Sequence, residues 1–166
     1  VINEDSTGKV ENIPFGKYYL KETKAPTGYQ LSNEKHEIEI TKENSKLKLT
    51  LENEIIKKKI IIYKIYDENE RIPEANISFT IYDNKNNKVA TITTDENGKA
   101  EITLPYGEYK IVQENTTEGY HKVEDILLTV EDTEEEIITL TDYKIAVPET
   151  STNIFITIIN IILRIF

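Results

Sequence analysis

Few side chains in this chain could carry out conventional enzyme chemistry. The sequence contains no Cys, so disulfides, thiolate metal sites and cysteine nucleophiles are excluded. His36 and His121 are its only imidazoles, and neither pairs with a candidate nucleophile in the sequence. We therefore interpret both as surface histidines, and we predict that the protein is not an enzyme and binds no cofactor.

An acidic stretch near the end of the chain could bind calcium. It contains Glu131, Asp132 and the run 134–136, all carboxylates. The stretch lacks the alternate-residue ligand pattern and the central Gly of a calcium loop. We interpret it as a charged hairpin tip and predict no metal site.

The sequence is instead dominated by an internal repeat. Residues 16–29 (GKYYLKETKAPTGY) align with residues 107–120 (GEYKIVQENTTEGY) without a gap. The alignment sets Glu22 against Gln113, and a later match between LTLENEI and TLTDYKI sets Asn53 against Asp142. Self-similarity at a spacing of about ninety residues indicates tandem units.

The repeat predicts the domain organisation. Residues 57–145 form one complete unit, and residues 1–56 form the C-terminal part of another, whose opening third lies upstream. Residues 146–166 form a different segment. Because the sequence has no Met, we expect a fragment or a processed chain.

Short alternating segments predict an all-β fold. Apolar and polar residues alternate in many short runs separated by turn signals, which is typical of a β-sandwich. The predicted strands are 17–22, 36–41, 47–53, 60–66, 77–82, 88–93, 100–104, 108–113, 126–130 and 136–142. In the strand 60–66, Ile60, Ile62 and Lys64 share one face.

The net charge restricts the possible binding partners, and the connection between the units restricts how they are joined. The net charge of −10 argues against nucleic-acid binding, which requires a basic face. The connection 54–59 has neither Gly nor Pro, so we predict a short continuous link. Lys57, Lys58 and Lys59 could form a basic patch, but we interpret them as a solvated junction.

The C-terminal segment has its own pattern. A polar stretch with a proline, 147–151, is followed by the apolar run 154–163 and by Arg164. As a helix this apolar run spans roughly 15 Å, against a hydrocarbon core of about 30 Å. We predict a weak or truncated transmembrane anchor; the alternative is a proline-containing linker leading to a disordered tail.

The segment YYLKETKAPTGY, residues 18–29, resembles the signature Tyr-x-Leu-x-Glu-Thr-x-Ala-Pro-x-Gly-Tyr of CnaB-type, SpaA-like repeats of Gram-positive surface adhesins and pilins. The second copy, YKIVQENTTEGY, is a more divergent version, and DENGKAEITLPYGEY resembles the lead-in of the same family. The resemblance extends over residues 1 to about 145. It implies tandem Ig-like or prealbumin-like β-sandwiches.

The resemblance also implies a self-crosslinking reaction. In this family a Lys on the first strand forms an isopeptide bond with an Asn or Asp on the last strand, assisted by a Glu. Lys64 matches the nucleophile of the second repeat and Asp142 its acceptor, while Asn53 matches the acceptor of the first repeat and Glu22 its assisting acid. The attacking amine must be neutral, and a protonated Glu in an apolar core can exchange protons with the reacting groups.

The second repeat departs from the family at one position. Gln113 stands where the assisting Glu is expected, and an amide can donate a hydrogen bond but cannot carry a proton. For Lys64 and Asp142 we therefore favour an ion pair that holds the strands in register, or two solvated surface charges, over a covalent bond. The first repeat is predicted to be competent, with its Lys upstream of Val1.

The C-terminal segment resembles a sortase sorting signal of the Leu-Pro-x-Thr-Gly type. The motif residues are Val147, Pro148, Glu149, Thr150 and Ser151, with Val and Ser replacing Leu and Gly. This implies cleavage after Thr150 and transfer to peptidoglycan, so the membrane would hold the tail only before processing. The predicted function is a stalk module of a wall-anchored adhesin or pilus-like protein with further repeats upstream; the alternative is a module that binds host protein or glycan.

Overall fold

The computed structural model describes residues 7–66 and 69–146. It has no helix in these ranges and contains eleven strands. They are β1 (Gly16–Lys21), β2 (Lys35–Ile40), β3 (Lys57–Tyr66), β4 (Ile72–Pro73), β5 (Ser78–Asp83), β6 (Lys88–Thr93), β7 (Lys99–Pro105), β8 (Gly107–Gln113), β9 (Tyr120–His121), β10 (Ile126–Val130) and β11 (Glu136–Lys144). The predicted all-β fold is confirmed.

Residues 57–144 form two sheets that enclose one apolar core. One sheet has the strand order β10-β8-β5-β6, and the other has the order β4-β3-β11-β9, with β7 also paired to β3. The neighbours β3 and β11 run parallel, while the other pairs are antiparallel. Large buried side chains from both sheets fill the space between them, among them Ile60, Ile62, Phe79, Ile81 and Ile111. The alternation along β3 therefore has the predicted consequence of directing one face inward.

The two repeats share backbone details beyond their sequence match. Tyr18 Oη donates to Pro14 O at 2.8 Å, and Tyr109 Oη donates to Pro105 O at 2.9 Å. Gly28 and Gly119 both have positive φ, 85° and 87°, a conformation that favours Gly. The repeat found in the sequence thus folds into the same local structure twice.

The predicted strand 47–53 is not formed. Its counterpart in the second unit, β11, is hydrogen-bonded to β3 on one side. In the first unit the described residues show no strand beside 47–53, and Leu47, Leu49 and Leu51 are between 41% and 48% exposed. An extended segment without a hydrogen-bonded neighbour does not form a sheet strand.

The link between the units is short and held on both sides. Ile56 N donates to Gly28 O at 2.9 Å, and Ile56 O accepts from Tyr106 N at 2.8 Å. A Cβ atom at Gly28 would lie 3.0 Å from Cδ1 of Tyr106. The continuous connection predicted from the sequence is therefore also packed against both units.

Candidate functional site: a buried lysine between two carboxylates

Strand β3 carries Lys64 into the core. The side chains of Ile60, Ile62 and Lys64 lie on the same face and are fully buried. A buried amine must have polar partners, because transfer of an unpaired charge from water to an apolar interior is very costly. Lys64 Nζ donates to Ile65 O at 3.0 Å and to Oε2 of Glu74 at 2.8 Å.

Strand β11 places Asp142 beside Lys64. The parallel register pairs Lys64 with Leu140, so Asp142 lies two residues further along on the same face. Lys64 Nζ is 2.8 Å from Oδ1 of Asp142, and both side chains are fully buried. Even so, Oδ1 has no hydrogen-bond partner within residues 7–66 and 69–146, so this short contact lacks hydrogen-bond alignment. Because both side chains are buried, the interpretation as two solvated surface charges is wrong.

The second oxygen of Asp142 accepts two hydrogen bonds. Gln113 Nε2 donates to Oδ2 at 2.8 Å, and the Thr116 hydroxyl also donates to Oδ2. Gln113 is itself fixed, since its Nε2 also donates to Asn115 O and its Oε1 accepts from Val123 N. The structure thus brings together the three residues named from the sequence for the second unit, and it adds Thr116.

Glu74 was not among the site residues predicted from the sequence. The hairpin of β3 and β4 pairs Ile65 with Pro73, and Glu74 N donates to Lys64 O at 2.9 Å. Glu74 therefore lies directly across from Lys64 with its side chain only 1% exposed. The signal that could have revealed it is a Glu at the end of a hairpin return, opposite an inward-facing Lys.

Because Gly98 has no side chain, the backbone of Lys64 can pack directly against it. Gly98 has φ of 69°, and a Cβ atom there would lie 2.3 Å from Lys64 O. Its carbonyl accepts from Lys64 N at 2.7 Å. The turn at Asn97 and Gly98 is thus also a packing requirement for the strand that carries the amine.

The first unit holds the corresponding acid and amide, and no lysine hydrogen-bonds to either of them in the part of the chain that the structure describes. Asn53 Nδ2 donates to Oε2 of Glu22 at 2.7 Å, and Ser32 N donates to the same oxygen at 2.9 Å. A cavity of about 280 Å³ borders this pair, lined also by His36 and Leu51. The two side chains are half-buried.

The lysines at the start of β3 pair with the acidic stretch near β11. Lys58 Nζ lies 3.0 Å from Asp132 and 3.4 Å from Glu136, while Lys59 Nζ lies 3.6 Å from Glu135. Only 10% of the Lys58 side chain is exposed, so the interpretation of this residue as part of a solvated junction is wrong. Hydrogen bonding to Asp132 raises the pKa of Lys58 above its ordinary value.

Two of the sequence predictions fall outside this site. The sorting motif 147–151 and the apolar run 154–163 lie outside the described residues. In the part of the chain that the structure describes, no helix is long and apolar enough to cross a membrane. The same part shows no cluster of three or more His, Cys, Asp or Glu side chains placed to hold a metal ion.

The fold and the buried cluster define a prealbumin-like β domain. Residues 2–55 and 58–144 match the family model SpaA, described as a prealbumin-like fold domain. Because these stretches include most of the chain, the protein belongs to the SpaA prealbumin-like family. This is a family of structural, pilin-like domains. A search of curated proteins found no match.

Solved structures similar to this chain include a protein of Bacillus anthracis and a streptococcal pilin. The Bacillus anthracis TIE protein is 29% identical with a TM-score of 0.74, and the match covers 87% of this chain and 28% of that one. GBS52, the minor pilin of Streptococcus agalactiae, is 17% identical with a TM-score of 0.52, covering 90% of this chain and 69% of that one. The second likeness shows the fold alone. This chain spans less than a third of the TIE protein.

Proposed function

We propose that this chain is a load-bearing stalk segment of a Gram-positive surface adhesin or pilus-like protein, in which Lys64 and Asp142 form an isopeptide bond. The observation that carries the proposal is the 2.8 Å contact between Lys64 Nζ and Asp142 Oδ1 inside the core. Membership of the SpaA family and the similarity to the TIE protein support the structural role.

The position of the proposed bond suits a stalk. The chain enters the unit 57–145 at the start of β3 and leaves it at the end of β11, and these strands are parallel neighbours. Tension applied at the two ends would therefore shear β3 against β11. A bond from Lys64 to Asp142 would carry that tension directly, and the sequence between these residues would be shielded from it.

The first unit has a related proposed role. We place its lysine on a strand upstream of Val1, which would lie next to Glu22 and Asn53. In a domain without Cys, such bonds would provide the covalent constraint that a disulfide gives elsewhere, typically about 2–4 kcal/mol. Neighbouring repeats and peptidoglycan are the proposed partners, with a sortase acting at Thr150.

Peptide mapping tests the crosslink. The full chain is denatured and digested, and the products are searched for one branched peptide that joins β3 to β11. The expected result is a branch linking Lys64 to Asp142, which disappears in Lys64→Ala. Recovery of only linear peptides from both segments would exclude the bond.

Surface attachment is tested separately, in a Gram-positive host that expresses sortases. We expect the chain, secreted with a signal peptide, to appear in the cell-wall fraction. A Thr150→Ala variant should remain in the membrane fraction or the medium. Equal wall association of both proteins would contradict anchoring at Thr150 and would leave the crosslink unaffected.

A further inference from the structure

The side chain of Glu74 is a buried carboxyl group, and both of its oxygens accept hydrogen bonds. Oε1 accepts from Thr117 N at 2.9 Å, and Oε2 accepts from Lys64 Nζ at 2.8 Å. Burying a carboxyl group is costly unless its partners are well placed, so Glu74 requires these two hydrogen bonds at its buried position. The Glu74 oxygen also touches the atom that would react.

The hydrogen bonds of Lys64 match those of a neutral amine. Its Nζ donates to Ile65 O and to Glu74 Oε2, which accounts for the two N–H groups of a neutral primary amine. In a neutral amine the remaining position is the lone pair. Asp142 Oδ1 lies 2.8 Å away and outside hydrogen-bond alignment, so the amine and the carboxyl group are in contact without an aligned hydrogen bond between them.

The two oxygens of Asp142 have different surroundings. Oδ2 accepts from Gln113 Nε2 and from the Thr116 hydroxyl, whereas Oδ1 has only the contact with Lys64. Donors aimed at one carboxyl oxygen stabilise the negative charge that develops there during attack. Gln113 can supply this polarisation, although it cannot supply a proton-carrying group.

We infer that Glu74 is the proton-carrying catalytic residue of the second unit, and that Gln113 and Thr116 act only as donors to Asp142 Oδ2. This inference rests on the proposed Lys64–Asp142 bond. A single Glu is expected to transfer the proton and to hydrogen-bond to the acceptor. Here Glu74 has the first role, and Gln113 and Thr116, on a separate segment, have the second.

The step balances around one water molecule. A cluster of Lys⁺, one carboxylate and one carboxylic acid has no net charge. Moving the ammonium proton to the carboxylate gives a neutral amine and two carboxylic acids, with the same number of protons. Nζ attacks Cγ of Asp142, and the N–C bond forms. Glu74 delivers its proton to Oδ1, which already carries the carboxylic-acid proton of Asp142, and takes one proton from Nζ in its place. The C–Oδ1 bond breaks, water leaves and Glu74 ends protonated, as it began.

The test compares four full-length chains: wild type, Glu74→Gln, Gln113→Glu and the double variant. Each is made by cell-free synthesis, quenched in acid denaturant at intervals and measured by intact mass. The Gln side chain has nearly the same shape as Glu and retains an oxygen to accept from Thr117 N. Circular dichroism of each chain checks the fold.

We expect the wild type to lose one water, and Glu74→Gln to lose it at least about a hundredfold more slowly, the usual size of a general acid–base contribution. The double variant should recover the reaction, because Glu at position 113 restores a proton carrier beside Asp142. A purely structural role for Glu74 would not be rescued from position 113.

Other outcomes overturn the inference in distinguishable ways. If folded Glu74→Gln links as fast as wild type, Glu74 does not carry the proton, although the bond stands. If Gln113→Glu links and wild type does not, Lys64 and Asp142 are competent but Glu74 is not the acid. If no folded chain links, the proposed bond itself is wrong, and the inference fails with it.

Discussion

Asn53 donates a hydrogen bond to Glu22 at 2.7 Å, and Gln113 donates one to Asp142 at 2.8 Å, so the two repeats use the same pair of positions with the hydrogen bond reversed. In the first unit the acid directly follows strand β1 and the amide lies near the end. The second unit has the amide first and the acid last. Because position 113 is then an amide, it cannot carry a proton. Glu74, on another segment, places a carboxyl group beside Lys64 Nζ.

Replacing the buried amine should strongly destabilise the second unit. Lys64→Met keeps much of the side-chain volume but leaves the buried carboxyl groups of Glu74 and Asp142 without the amine that contacts both. Removing one partner of a buried pair costs about 3–5 kcal/mol, and loss of the proposed bond would add to this. Chemical denaturation measures the change in the free energy of unfolding.

Lys59→Met is the matched control for that variant. Lys59 is on the same strand but is 43% exposed, with ion pairs to Glu101 and Glu135. Surface pairs contribute about 0–1 kcal/mol, so its loss should be small. Equal destabilisation by the two variants would show that the buried cluster contributes no more to the free energy of unfolding than a surface ion pair.

The proposed bond predicts a mechanical signature. Pulled from its ends, an unlinked unit of about ninety residues would unfold and lengthen by about 300 Å, at roughly 3.5 Å per residue. The linked unit should show no such step, because tension passes from β3 to β11 through Lys64 and Asp142. Single-molecule force measurements on wild type and Lys64→Ala should therefore differ by one unfolding event per molecule; the same step in both would contradict the proposed force path.

The junction between the units should depend on Gly28. Gly28→Ala introduces a Cβ atom 3.0 Å from the Tyr106 ring and also strains a residue with φ of 85°. Gly119→Ala has the same backbone strain, with φ of 87°, but its Cβ would meet no atom within 4 Å. Both variants should lose roughly 1 kcal/mol from strain.

Only Gly28→Ala should also alter how the two units pack. Small-angle scattering should show a change in shape for Gly28→Ala and none for Gly119→Ala. Identical scattering profiles for the two variants would mean that the contact between Gly28 and Tyr106 does not fix the junction.

The acidic stretch should contribute stability that depends on pH. Hydrogen bonding from Lys58, followed by that from the Glu134 N–H, holds the pKa of Asp132 below its ordinary value of 3.8. A carboxylate with a lowered folded-state pKa stabilises the fold above its unfolded pKa, and this stability is lost as pH falls through the folded value. Thermal unfolding between about pH 5 and pH 2 should therefore fall less steeply in Asp132→Asn than in wild type.

Glu131→Gln is the control for this pH dependence. It removes the same charge one residue away, where the side chain is exposed. Its melting temperature should follow the wild-type pH curve. If both variants flatten the curve equally, net charge and not the Lys58 pair governs the acid response.

Much of this arrangement could be predicted from alternation and from the repeat. The inward face of β3 followed from residue spacing, because period-two alternation fixes which side chains share a face. The pairing of Lys64 with Asp142 came from the resemblance to the SpaA-like repeats. Glu74 could not be found this way, since it follows a two-residue strand whose pairing depends on the hairpin path. The missing strand at 47–53 had the right alternation but no neighbour among the described residues, and a strand requires both.

The intact mass of the denatured full-length chain tests the central claim most directly. The account predicts a mass one water below the calculated value, and Lys64→Ala at its own calculated value. Asp142→Asn should instead lose one ammonia, because the leaving group is then an amide nitrogen. A wild-type chain that is folded and fully aged but still at its full calculated mass would contradict the account, leaving Lys64, Glu74 and Asp142 as a buried ionic cluster held only by packing and hydrogen bonds.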